Sequence, residues 1–311
     1  MAETAPIEHL GEPGIWLAAD GLEAIVIPSA GMVVASLRLR GEELLGRADR
    51  LAGWIDGGHT MGIPLLHPWA NRIAGTSYEV AGTCVEIDPA SPLLHRDESG
   101  QPIHGLLAAT PAWKAVDHGA NESRAWLAAT LDAADVDGLL DAFPFPHRLE
   151  LRYELRQSVL SIETTLVPTS DVAVPVAFGW HPYFHLPGRA RDDWQISLPQ
   201  MQALELDARM LPTGLEHPLP RFDARLEGMV FDDAFGGIEP RAELAVGAGE
   251  RLITVAFDEG YPYGQVYAPS TQDVVALEPM TAPANALVTG RGLVLAEPGS
   301  AHRARFSVHV R

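Results

Sequence analysis

The feature that most constrains this chain is strict two-residue alternation. In "HRLELRYELR", Leu149, Leu151, Tyr153 and Leu155 fall on one side, and Glu150, Arg152, Glu154 and Arg156 on the other. Side chains of an extended strand alternate between faces, so this pattern predicts a half-buried strand. "SVLSIETTLV" follows at once and predicts its antiparallel neighbour. "RARFSVHVR" repeats the pattern, with Phe306, Val308 and Val310 inward and Arg305, Ser307, His309 and Arg311 outward. "LEAIVIP", "VVASLRLR", "RAWLAATL" and "RLITVAF" add strands rich in β-branched residues. Helical periodicity is scarce, with short helical turns expected near Gly138 to Ala142. Glycines and prolines are spread as punctuation between short strands, and no fixed-period repeat or linker interrupts them. The expectation is an all-β fold, one large antiparallel β-sandwich forming a single domain over residues 1–311.

A chain of 311 residues can bury a large core, and 47% hydrophobic with 20% charged residues is an ordinary globular balance. The formal net charge of −19 would repel phosphate backbones and anionic membranes, so no nucleic-acid or membrane partner is expected. One cysteine, Cys84, rules out an intramolecular disulfide and fits a reducing compartment. In "TCVEI" it reads as a small buried hydrophobe. The opening "MAETAPIEHLGEPG" lacks a basic region followed by an apolar run, and no apolar stretch is long enough to span a bilayer. A cytoplasmic location is the expectation. Composition leaves the oligomeric state open.

Four loop-like segments break the alternation and concentrate ionisable residues beside proline, glycine and aromatics. They are "MGIPLLHPWANRIAG", "PIHGLL", "FGWHPYFHLPG" and "ALEPMTAPANAL". Charged groups are costly to desolvate without partners, so such segments line sites or hold satisfied networks. His181 and His185, four residues apart, could share a face and bind a metal. No HExxH, no CxxC and no His-x-His with a nearby glutamate supports that reading, so no metal is expected. His185 reads as structural, bonded to a backbone carbonyl, and His67 as supporting or structural. Taken singly, Arg72 reads as a surface residue, His104 as a turn marker, Asp232 as a cap and Glu278 as a strand-end residue.

In this order the segments resemble the aldose 1-epimerase (galactose mutarotase) family. The matching stretches are "NRI" at Asn71 to Ile73 with Gly75, "HG" at His104 and Gly105, "HPYFHL" at His181 to Leu186, and "LEP" at Leu277 to Pro279. Weaker matches are "LPTG" at Leu211 to Gly214 and "FDDAF" at Phe231 to Phe235, best aligned on Asp232 rather than Asp233. The matches run from about Glu43 to Leu287. Pro182 departs from the galactose-type pattern, which has a small polar residue there, and this bears on the choice of sugar.

The resemblance implies a galactose mutarotase-like supersandwich and an isomerase that equilibrates the α and β anomers of a free aldose without a cofactor. It implies Glu278 as base, His181 as acid, and Arg72, His104 and Asp232 as substrate-binding residues. The chemistry suits these types. Ring opening needs one base for the anomeric hydroxyl and one acid for the ring oxygen. An arginine fork and a carboxylate can hold ring hydroxyls. Trp69, Trp180 and Tyr183 could stack on a sugar or pack in the core. Arg189 and Arg191 follow His181 closely enough to be candidates for a phosphate end. Two alternatives stand beside the isomerase: a carbohydrate-binding protein without catalysis, and a glycoside hydrolase using Glu278 with Asp232.

Overall fold

A computed structural model describes all 311 residues. The alternating segments form strands. His147–Arg156 pairs antiparallel with Val159–Pro168 along its whole length, and Val159–Pro168 pairs with His302–Val310. Leu149, Leu151, Tyr153 and Leu155 are buried, while Arg148, Glu150, Arg152 and Glu154 are partly exposed. All three strands lie inside a nine-stranded sheet. An eight-stranded sheet and an N-terminal five-stranded meander accompany it, and every named strand pair is antiparallel. This is the expected all-β architecture. A contiguous cluster of 73 buried hydrophobic residues draws on all three sheets, from Leu17 and Val34 to Leu151, Leu277 and Phe306. No helix is long and apolar enough to cross a membrane.

Three local expectations change. Cys84 is exposed, not buried. In the ribbon Ser77–Val80 with Thr83–Glu86, period two turns Val85 inward, which turns Cys84 outward. Ser307, expected to face water, is buried on the outer face, where its hydroxyl contacts Ser161 Oγ at 2.9 Å and donates to Asp258 at 2.5 Å. "ALEPMTAPANAL" is not a loop at its start: Val275–Met280 is a wholly buried strand of the eight-stranded sheet. A strand buried on both faces shows no alternation, so the pattern gave no sign of it. The helical turn at Leu139–Ala142 falls where the sequence placed it.

Candidate active site

Strand register sets the central contact. Val275–Met280 lies between Tyr263–Ala268 on one side and the interrupted strand pair Gly179–Trp180 and Tyr183–Phe184 on the other. Gly179 pairs with Met280 and Tyr183 with Ala276, which carries His181, in the gap, directly opposite Glu278. The gap has a chemical cause: Pro182 and Pro279 have no N–H to give the ladder. Leu277 N–H donates to the Pro182 carbonyl, while the His181 N–H donates away, to Pro64. Residues 181 and 278 are therefore a non-hydrogen-bonded pair, the kind in which facing side chains come closest. His181 Nε2 lies 3.2 Å from Glu278 Oε1.

The neighbouring strands extend this face. Gln265 is paired with Glu278, and Asp232 with Tyr267. Period two puts Gln265, Tyr267, Asp232 and Glu278 on one face and turns Asp233 to the other. Gln265 Nε2 donates to Asp232 Oδ1 at 2.7 Å. Two loops close the cavity. His104 N–H donates to the Asn71 carbonyl and Ile73 N–H to the Pro102 carbonyl, locking "NRI" to "PIHG". The Arg72 guanidinium donates from Nε to Asp97 Oδ2 at 2.6 Å and lies near Asn71 Oδ1. Asp97 in turn accepts from Ser99 and Gln101. Gly105 sits at φ 76°, and a Cβ there would lie 2.2 Å from the His67 carbonyl oxygen, so only glycine lets the His104 turn close. The resulting cavity of about 170 Å³ is lined by Arg72, His104, His181, Asp232 and Glu278 together with Arg47, Asn71, Tyr183, Gln265 and Tyr267.

Residues 15–309 match the profile of the family described as aldose 1-epimerase. The chain belongs to the aldose 1-epimerase family. The Escherichia coli K12 protein YihR, described as uncharacterized, is 27% identical over 269 residues, 79% of this chain and 80% of its own length. A galactose mutarotase-like protein from Clostridium acetobutylicum superposes with a TM-score of 0.84 at 17% identity, covering 99% of this chain and 98% of the other. Galactose 1-epimerase from Lactobacillus acidophilus NCFM gives 0.77 at 17% identity, covering 100% and 98%. At such identities the superpositions establish the shared fold.

Within this aldose 1-epimerase family member, electrostatics decide how the central pair holds its proton. The contact distance would suit an ion pair, but Glu278 is 2% and His181 5% exposed. Burial raises the Glu278 pKa well above the usual carboxylate value; the Asp232 charge adds to this and Arg72 opposes it. Burial lowers the His181 pKa well below 6.5, and His104 and Arg47 push the same way. We therefore read the 3.2 Å contact as a neutral acid beside a neutral imidazole, sharing one proton. A pair with one proton can give it at one atom and take another at the other atom. Burial, then Arg72, takes His104 down to about 3, so it is a neutral hydrogen-bonding ring. Tyr183 stacks on His181 with ring centroids 4.2 Å apart, and its hydroxyl lies 3.2 Å from His181 Nε2 and 2.8 Å from Thr60 Oγ1. Burial holds that phenol protonated.

All five site residues named from the sequence line this one cavity. His185 points elsewhere, with Nδ1 3.1 Å from the Asp273 carbonyl oxygen, so the two histidines of "HPYFH" do not converge. His67 lies beneath the site, its Nε2 2.8 Å from His147 Nε2. Trp69 and Trp180 are core residues, and Trp180 Nε1 donates to Thr164 Oγ1. Of the three aromatics only Tyr183 reaches the cavity. Neither arginine considered for a phosphate end does. Arg191 is buried and donates to the Leu226, Met229 and Ala268 carbonyls, and Arg189 lines a separate surface groove with Arg225, Arg251 and Arg311. The sequence reading missed Arg47, Gln265, Tyr267 and Asp97. For Gln265 and Tyr267 a signal existed: in "YGQVYA" they alternate in step with the face that carries Glu278.

Proposed function

We propose that this protein is an aldose 1-epimerase that interconverts the α and β anomers of a free aldose by ring opening and reclosure. The observation that carries the reading is the His181–Glu278 contact inside the cavity that also holds Arg72, His104 and Asp232. Glu278, as carboxylate, takes the proton of the anomeric hydroxyl. The bond from C1 to the ring oxygen breaks, C1 becomes a carbonyl carbon, and His181 gives its proton to the ring oxygen. After rotation about C1–C2 the two residues exchange roles and the ring closes on the other carbonyl face. The pair ends as it began, with one proton. Burial favours that proton on Glu278 before a sugar enters. The Arg72 charge and hydrogen bonds from sugar hydroxyls favour the carboxylate afterwards. Asp232, braced by Gln265, accepts from ring hydroxyls, and Arg72, braced by Asp97, donates to them.

The carboxyl groups of Asp232 and Glu278 share the cavity, the one observation that favours a hydrolase. Glu278 is set against His181 and not against a second carboxylate, which suits proton exchange between two atoms of one sugar. NMR exchange or polarimetry on freshly dissolved α-aldoses tests the proposal. Faster equilibration than in buffer, lost in Glu278→Gln and His181→Ala, is expected. Equilibration of no neutral or charged aldose, or an unimpaired Glu278→Gln, would refute it. Release of a chromogenic aglycone would revive the hydrolase.

A further inference from the structure

Arg47 is a cation in the cavity that the chemistry just described does not use. It lies in the loop after Glu42–Glu43, at φ 60°, a left-handed conformation uncommon for a non-glycine residue. The chain around it is fixed on the catalytic segment: Gly46 N–H donates to the Tyr183 carbonyl, and Leu45 bridges Phe184. Its guanidinium lies over the Tyr183 ring, 4.3 Å from the centroid. Nε donates to Gln272 Oε1 at 2.9 Å and Nη1 reaches the Thr60 carbonyl at 3.4 Å. Both acceptors are neutral, and the remaining N–H groups have no protein acceptor. The contrast with Arg72 is direct, since Arg72 is neutralised by Asp97 at 2.6 Å. A chain of net charge −19 thus leaves an unpaired guanidinium lining its candidate active site.

The order of groups along the cavity says which part of a sugar this cation would meet. Arg47 covers Tyr183, Tyr183 stacks on His181, and His181 touches Glu278. Asp232 comes from Phe231–Gly236, beyond Tyr263–Ala268 and so on the opposite side of Val275–Met280 from His181. In a pyranose the ring oxygen is bonded to C1 and to C5, and C5 carries C6. With Glu278 at the anomeric hydroxyl and His181 at the ring oxygen, the next group past His181 is the substituent on C5. We propose that the preferred substrate is an aldose bearing an oxyanion on C6, a carboxylate or a phosphate, that docks on Arg47. A guanidinium fork matches both groups with two parallel hydrogen bonds. This rests on the mutarotase reading for the orientation of the ring.

The test compares anomer exchange of glucose, glucuronate and glucose 6-phosphate, each against its own buffer rate, with isothermal titration of the same three sugars. In the wild-type protein, kcat/KM for at least one anionic sugar should exceed that for glucose by tenfold or more. Arg47→Gln should remove most of that preference, mainly through KM, and Arg47→Lys should retain part of it. Glucuronate and glucose 6-phosphate distinguish a carboxylate from a phosphate. Equal or better turnover of glucose, or a preference unchanged in a folded Arg47→Gln protein, overturns the proposal. If an anionic sugar binds in an Arg47-dependent way but is not equilibrated, the docking site stands and the mutarotase reading fails. If neither anionic sugar binds or reacts, the docking site fails, whatever glucose does.

Discussion

Glu278 is an acid that its surroundings keep from ionising, and that has a cost in stability. Its native pKa lies above the ordinary 4.5, so the unfolded chain releases this proton where the native protein retains it. Its contribution to stability is present below about pH 4.5 and lost as pH rises through the raised native value. Glu278→Gln keeps the shape and cannot ionise. It should melt at a higher temperature than wild type at pH 7 while anomer exchange slows by about 100-fold or more. Differential scanning calorimetry beside the exchange assay reads both. Asp97 touches no substrate in this scheme but orients Arg72. Asp97→Asn should raise KM about tenfold, the worth of one charge-assisted bond, with a smaller change in kcat. Residues such as Asp97 and Arg47 were illegible in the sequence because their meaning depends on distant partners. Arg47 finds Gln272 225 positions away, and "GRADR" has no local pattern that announces it. That Glu278, His181, His104 and Arg72 share one cavity was legible because each sits in a short, ordered motif.

At the scale of elements, the His181–Glu278 spacing belongs to the sheet. His181 and Glu278 meet because Gly179–Met280 and Tyr183–Ala276 pairing puts them opposite one another, and two prolines open the ladder between them. The second element that matters is the turn that presents His104. Gly105→Ala would place a methyl group against the His67 carbonyl at a positive φ. The expected cost is about 2 kcal/mol or more, read as a lower denaturant midpoint, with activity lost because the His104 ring moves. Strands half-exposed on a sheet, such as His147–Arg156, were readable from alternation alone. Val275–Met280, buried on every side, and the two-residue strands Leu65–Leu66 and Gly179–Trp180 were not. Uniform burial removes the period-two signal, and two residues are too few to show one.

Across the whole molecule, buried neutral histidines set the response to acid. Burial lowers the pKa of His67, His104, His147 and His181 below the ordinary 6.5. Below about pH 6.5 the unfolded chain gains protons that the native fold refuses, so stability falls as pH falls. Asp97, held to about 2 chiefly by Arg72 against an opposing burial effect, adds to the loss at lower pH. Glu278 and Asp233, both raised by burial, run the other way but are fewer. The melting temperature should therefore drop from pH 6.5 downward, and thermal scans across that range would show it; a flat profile would contradict the burial of these rings. The crossing of His181 and Glu278 also has a consequence for biosynthesis. The two lie 97 positions apart in the chain, so at 5–20 residues per second a ribosome delivers the second about 5–20 s after the first. In the finished sheet Val275–Met280 lies between Tyr263–Ala268 and the pair Gly179–Trp180 and Tyr183–Phe184, so the edges on both sides depend on it for their partner. Insertion of Val275–Met280 brings Glu278 opposite His181 and pairs both flanking edges at once.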